Sequence, residues 1–201
     1  DIVLFMPASK KISMHQACCI EQGAEPIFER IAAMPNLNLI AKKWAEDNEA
    51  CFIPLGLKHE LATAGIIHAA LTIDPPKEVY VAISTGVLTR ALQIAWPKAK
   101  FIAVAVARNL KAGEAGRATV VSEDLEFTQF EKIENLPPFP SVPTYDAKVW
   151  KHIPKDTGKD ILFWNVGKDP VLNDITLYDK IDSNRKWKKE YSLENSSNIT
   201  V

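Results

Sequence analysis

The segment from Val79 to Val106 limits this chain more than any other. Val79-Tyr80-Val81-Ala82-Ile83 is a continuous apolar run rich in β-branched residues, Val87 to Ala95 repeats apolar residues at helical spacing, and Phe101 to Val106 is a second apolar run. Strands without polar alternation are buried on both faces, which is the condition of a parallel sheet covered by helices. A strand, a helix and a strand so close together form a βαβ unit. The expected fold is therefore α/β, a three-layer α/β/α arrangement on a mainly parallel sheet, in one domain or two lobes.

The rest of the chain supports that class. Ile2 to Met6, ended by Pro7, reads as a buried strand. Lys10 to Gln22 reads as a helix with Met14, Ala17, Cys18 and Glu21 on one side and Gly23 at its C-cap, and Ala24 to Phe28 as a short strand. A second helix starts near Pro35 with Leu37, Ile40, Ala41, Trp44 and Ala45 as its apolar stripe, and Cys51 to Pro54 reads as a strand. A third helix, about Glu60 to Leu71, is expected to bury Leu61, Gly65, Ile66, Ala69 and Ala70 against a sheet before Pro75-Pro76 stops it. Further on, Ala118 to Ser122 and Ile161 to Trp164 read as strands. Leu136 to Pro143 reads as a stiff extended connection and Tyr145 to His152 as a short helix. The divisions expected are a smaller lobe over 1–50, a main lobe over 51–168 and a polar extension over 169–201. The chain opens without Met on what reads as a strand, so a preceding segment is expected.

Charge and cysteine content narrow the setting. With 24 Lys+Arg against 25 Asp+Glu in 201 residues, no net field draws in nucleic acid or an anionic membrane. Three cysteines, two of them adjacent at Cys18-Cys19, do not make a disulfide framework, and a cytoplasmic protein is expected, with those two as core or near-core thiols. No apolar run reaches the length of a membrane span. The sequons at Asn195 and Asn198 are read as incidental.

Chemistry concentrates where the Val79–Ile83 strand runs through Ser84-Thr85-Gly86 into a helix. Backbone N–H groups at a helix start lack intrahelical partners, and with the helix dipole and two hydroxyls they suit a phosphate or carboxylate. In open α/β sheets ligands sit at that end of the strands. The alternative, that Ser84 and Thr85 cap the helix and Gly86 only permits close packing, stays open. If Gly86 faces a ligand, Gly86→Val should block its approach.

Other constellations read as structural. His59-Glu60-Leu61-Ala62-Thr63 lacks the second histidine of a zinc-protease helix, His15, His68 and His152 have no ligand partners at suitable spacing, and no metal site is expected. The glycines of Gly113 to Gly116 read as turns. Lys148 reads as a solvated helix lysine. The cluster Arg185-Lys186-Trp187-Lys188-Lys189 reads as a solvated surface.

These residues resemble a family. Ser84-Thr-Gly-Val-Leu followed by the helix to Ala95-Trp96-Pro97 and the strand from Lys100 is similar to the phosphate loop of pyridoxal-phosphate enzymes of fold type II. That family includes tryptophan synthase β, D-cysteine desulfhydrase and 1-aminocyclopropane-1-carboxylate deaminase. Val3 to Pro7, Gly23-Ala24-Glu25, and Ile161 to Gly167 resemble its early strands and the late strand beside the cofactor ring. The resemblance implies a homodimeric lyase, deaminase or β-replacement enzyme acting on an amino acid, with Ser84, Thr85 and Gly86 on the phosphate of pyridoxal 5'-phosphate and Asn165 near the ring. Three features depart from the pattern. No lysine lies in the context of the one that joins the cofactor covalently, the loop is poorer in glycine, and Val166 stands where many members carry Ser or Thr. The alternatives are a non-catalytic or partner-dependent domain of the same fold that binds a phosphorylated small molecule, or an enzyme of nucleotide or nucleic-acid base modification.

Overall fold

A four-stranded, wholly parallel sheet in the order β5-β4-β3-β6 carries the larger part of the chain in a computed structural model that describes residues 1–7, 12–30, 34–155, 158 and 160–173. Its strands are β3 (Glu78–Ile83), β4 (Lys100–Ala105), β5 (Thr119–Ser122) and β6 (Ile161–Trp164). The central pair runs in register from Val79 opposite Phe101 to Ile83 opposite Ala105, joined by helix α4 (Val87–Ala95) as the apolar runs require.

Alternation along β3 divides the core between the two faces. Val79, Val81 and Ile83 pack with Leu92 of α4, Trp96, Phe101 and Ala70 of helix α3 (Glu60–Ala70). Tyr80 and Ala82 pack on the other side with Ile102, Val104 and Val149 of helix α5 (Ala147–Trp150). Helices thus cover both faces of one sheet, which is the three-layer α/β/α class. Each fully buried aliphatic side chain in these layers contributes roughly 1.5–3 kcal/mol. The C-terminal end of α4 is closed by Arg117, whose guanidinium donates to the carbonyls of Ala99 and, at 2.7 Å, Trp96 while lying 4.9 Å over the Phe101 ring. That fork ties Arg117 to the turn that follows α4.

The chain divides into two units. One is Leu55–Asp169, described above, and the other comprises Asp1–Pro54 with the described residues from Pro170 on. In the second, β1 (Val3–Pro7) and β2 (Glu25–Glu29) form a parallel pair, linked by α1 (Met14–Glu21) and followed by α2 (Met34–Asp47). Ser13 and Gln16 form a capping box on α1. At its other end Gly23, at φ +94°, sends its N–H to Ile20 while Ala24 bonds Cys19, the Schellman arrangement that the glycine's position suggests. Met6, Ile12, Ala17 and Phe28 are its core, and Phe5 meets Trp44 edge to face.

Several expectations need correction. Cys51 to Pro54 forms no strand with any described segment; Pro54 lacks an N–H and the segment leads straight into a 3₁₀ turn at Leu55–Leu57. Helix α3 packs on α4 rather than flat on the sheet, so Leu61 is 72% exposed, Gly65 and Ala69 are exposed, and only Ala70 is fully buried. In the N-terminal strand only Met6 is buried, since a two-stranded pair has little to cover it. Cys19 is exposed and Cys18 half-buried, because α1 turns Ala17 inward instead. Lys148 is fully buried. Lys10, the expected start of the first helix, the cationic cluster around Trp187 and the two sequons lie outside the described residues, as does the extension beyond residue 173.

Candidate functional site

Parallel strands present all their carboxyl ends on one edge, and the sequence candidates Ser84, Thr85, Gly86 and Asn165 lie at that edge of the larger unit. Val81 of β3 lies opposite Trp164 of β6, so Ser84-Thr85-Gly86 and Asn165-Val166 leave neighbouring strands on the same side. Gly86 adopts φ +76° and ψ 1° as the N-cap of α4, and no side chain caps that helix. The first intrahelical bond runs from Arg90 to Gly86, which leaves the N–H groups at the start of α4 to point along the helix axis.

The turn is held from two sides. A Cβ on Gly86 would lie 2.0 Å from the carbonyl oxygen of Glu114, so the backbone of the 113–116 turn occupies the space that glycine frees. A Cβ on Gly56 would lie 2.5 Å from the Thr85 methyl carbon, and the Thr85 hydroxyl reaches the Gly56 carbonyl at 3.5 Å. The buried Glu114 carboxylate ties these segments together. It takes bonds from Arg108 at 2.7 Å, the Lys111 N–H at 2.8 Å and Lys58 at 3.4 Å, and Arg108 foremost holds its pKa down at about 2. Both readings of Gly86 therefore have a physical basis. Its left-handed backbone and close packing are structural, while no side chain caps the helix start beyond it.

Opposite the turn, where β6 ends, stand two residues the sequence reading did not assign. The Tyr145 hydroxyl is hydrogen-bonded with the Ser84 side chain, and burial, then the charge of Asp146, push its pKa up. Asp146 is 2% exposed. One carboxylate oxygen is served by the Val166 N–H, whereas Oδ1 is buried and, among the described residues, has no hydrogen-bond partner. Burial raises its pKa from 3.8 to about 6. A buried carboxylate with an unmatched oxygen is costly unless a cation or donor meets it.

The Asn165 side chain is bonded to the protein at both ends of its amide. Its Oδ1 accepts from Ser141 Oγ at 2.8 Å, and its Nδ2 donates to the Pro140 carbonyl at 2.9 Å. Lys148 donates to the carbonyl of Glu126 at 2.7 Å, and desolvation lowers its pKa. Beside it Lys151 bridges Glu123 at 2.8 Å and Glu131 at 2.9 Å, both carboxylates being almost fully buried. Burial opposes the charge on each of those acids, but Lys151 and neighbouring donors outweigh it and both pKa values are lowered. This network anchors the 123–135 segment. Among the described residues no cluster of His, Cys, Asp and Glu could hold a metal ion, and no helix is long and apolar enough to cross a membrane.

No family model and no curated protein matches the chain. Among solved structures, it is similar to one described as a crystal structure analysis of the ACC deaminase homologue, with a TM-score of 0.66 and 15% sequence identity. The match covers 83% of this chain and 66% of that one, so this chain spans just under two thirds of that protein's length. At that identity the likeness establishes a shared fold.

Proposed function

We propose that the carboxyl edge of the larger unit is a pyridoxal 5'-phosphate site, and that the chain belongs to a cytoplasmic, homodimeric enzyme of amino-acid elimination, deamination or β-replacement. The observation that carries this reading is Asp146 Oδ1, a buried carboxylate oxygen without a partner, beside a Tyr145 linked to the turn that starts α4. The residues present fit the group. The phosphate suits the N–H groups that open α4, with the Ser84 and Thr85 hydroxyls beside them and Gly86 fixing the turn. The ring nitrogen suits Asp146 better than Asn165, because Asp146 offers a buried carboxylate oxygen whereas the Asn165 amide is oriented by its bonds to Pro140 and Ser141. When bound, the cofactor supplies an electron sink for an amino-acid substrate.

The protein's share is orientation and charge. Asp146 carries a charge that its surroundings leave uncompensated, so a protonated ring nitrogen would be held there strongly and its proton retained. Tyr145, its pKa raised, keeps its proton at neutral pH and fixes the Ser84 hydroxyl. The shared fold with the ACC deaminase homologue supports the reading at the level of architecture.

A second reading, a non-catalytic domain that holds the phosphorylated ligand without a covalent bond, is favoured by the lysines. Lys58, in the loop that meets Thr85, is paired with Glu114, and Lys148 is committed to Glu126. Borohydride reduction of the protein with pyridoxal phosphate, followed by peptide mapping, tests both readings. We expect saturable uptake near one equivalent, displaced by inorganic phosphate, with no stoichiometric label on Lys58, Lys148 or Lys151. Absence of saturable uptake would refute the site. A stoichiometric label on one of those lysines would refute the non-covalent reading and move the reacting centre to that residue.

A further inference from the structure

Of the residues in 137–143, four are proline, so this segment has few N–H groups with which to join a sheet or bind its neighbours. Something outside it must fix its place. Phe139 packs against Trp150 and Phe163 of β6, and two consecutive residues at the end of β6 supply polar anchors. Asn165 grips the segment at 140–141 with both ends of its amide, and Val166 grips Asp146 through its backbone N–H. Between those points the chain is a tight turn, in which the Val142 carbonyl accepts from Tyr145 at 3.0 Å and Ala147 at 3.1 Å, and Pro143 accepts from Glu131 at 2.9 Å.

We propose that Asn165 is a positioning residue, whose side-chain amide clamps the proline-rich connection to the end of β6 and thereby sets where Tyr145 and Asp146 stand at the sheet's carboxyl edge. The proposal rests on the reading of that edge as a cofactor site. The chemistry of the clamp selects the residue type. One partner is a hydroxyl that donates and the other a carbonyl that accepts, so the side chain must accept at one atom and donate at the other, at the length of a single methylene. The substitution Asn165→Asp would set a carboxylate oxygen against the Pro140 carbonyl, and alanine would leave both groups unmatched. Because Asp146 follows Ser141 by only five residues through a hydrogen-bonded turn, loss of the clamp is expected to shift the carboxyl. A displacement on the order of 1 Å is enough to disturb a positioned group.

The test is Asn165→Ala and, independently, Ser141→Ala in the full chain, with three measurements on each. The Asp146 carboxyl is titrated by ¹³C NMR, affinity is measured for pyridoxal phosphate and for inorganic phosphate, and thermal melting is recorded. In Asn165→Ala we expect the Asp146 midpoint to fall from about 6 toward the ordinary carboxylate range as water reaches it. We expect pyridoxal-phosphate affinity to drop by about tenfold with little change for inorganic phosphate, because the helix start is untouched. Ser141→Ala, which spares the Pro140 bond, should shift the midpoint the same way by less, and it decides the matter if Asn165→Ala does not fold. Folded variants with an unmoved Asp146 midpoint and unchanged cofactor affinity would overturn the proposal. If the native chain binds no pyridoxal phosphate, the cofactor reading falls, and the carboxyl titration still decides whether Asn165 positions Asp146.

Discussion

Asp146→Asn is expected to stabilise the free protein at pH 7 and at the same time to weaken pyridoxal-phosphate binding. The folded-state pKa of Asp146 is raised from 3.8 to about 6 by burial. The folded state therefore holds the proton more tightly than the unfolded chain does. Stability from this group is fully present below about pH 4 and is lost as pH rises through about 6. Above that range the charged form costs up to about 3 kcal/mol, the equivalent of the shift. Asparagine keeps an acceptor for the Val166 N–H and carries no charge. The stability difference between variant and native protein should be near zero at about pH 4 and grow toward that figure by about pH 7, as read from urea unfolding at each pH. Binding should move the other way, by about 10- to 100-fold, since a charge-assisted bond to the ring nitrogen is worth roughly 1.5–3 kcal/mol. A destabilised Asn variant at neutral pH would show that Asp146 is matched by a cation in the free protein, contrary to its orphaned oxygen.

Gly86→Ala is expected to cost about 3 kcal/mol or more, and Gly86→Val to fail to fold. The left-handed backbone at φ +76° alone costs a non-glycine residue about 1–2 kcal/mol, more when it is β-branched. The added Cβ would also lie 2.0 Å from the Glu114 carbonyl oxygen and 2.7 Å from its carbon, so the backbone of the 113–116 turn must move. That turn is itself fixed by Arg108 and Lys58 through Glu114 and by Gln93 on α4. Against a total stability of roughly 5–15 kcal/mol such a loss is large. The midpoint of urea unfolding measures it, and a Gly86→Ala variant within about 0.5 kcal/mol of the native protein would contradict the packing. The sequence expectation that Gly86→Val blocks a ligand selectively therefore gives way. Ser84→Ala probes the turn with less damage, because it removes one hydroxyl and leaves the backbone in place.

What could be read from the residues follows from how local the causes are. The β3–α4–β4 unit was legible because an unbroken apolar run and a 3.6-residue stripe are properties of single segments, and the observed register, Val79 to Phe101, joins the two runs directly. Gly23 was legible for the same reason. The errors come from long-range contacts. Helix α3 reads as sheet-facing from its stripe, but its neighbour is α4, which leaves Leu61 exposed. Lys148 reads as solvated because nothing in its own segment announces that the carbonyl of Glu126, 22 residues away, receives its amine. Ser84, Thr85 and Gly86 carry a strand-to-helix signature. Asp146 carries none, since its unmatched oxygen arises only when the proline-rich connection is folded against the end of β6. Glu114 was likewise hidden in a glycine-bearing turn that looked structural, and it proves to hold that turn against Gly86.

Backbone and carboxyl NMR of the intact chain, titrated with pyridoxal phosphate and separately with inorganic phosphate, shows whether the carboxyl edge holds the cofactor. If the carboxyl edge is the cofactor site, both ligands shift the amides of Gly86, Val87 and Leu88, and only pyridoxal phosphate also moves the Asp146 carboxyl. Saturating shifts that leave those amides and Asp146 unmoved, wherever else they fall, would place the ligand away from the carboxyl edge.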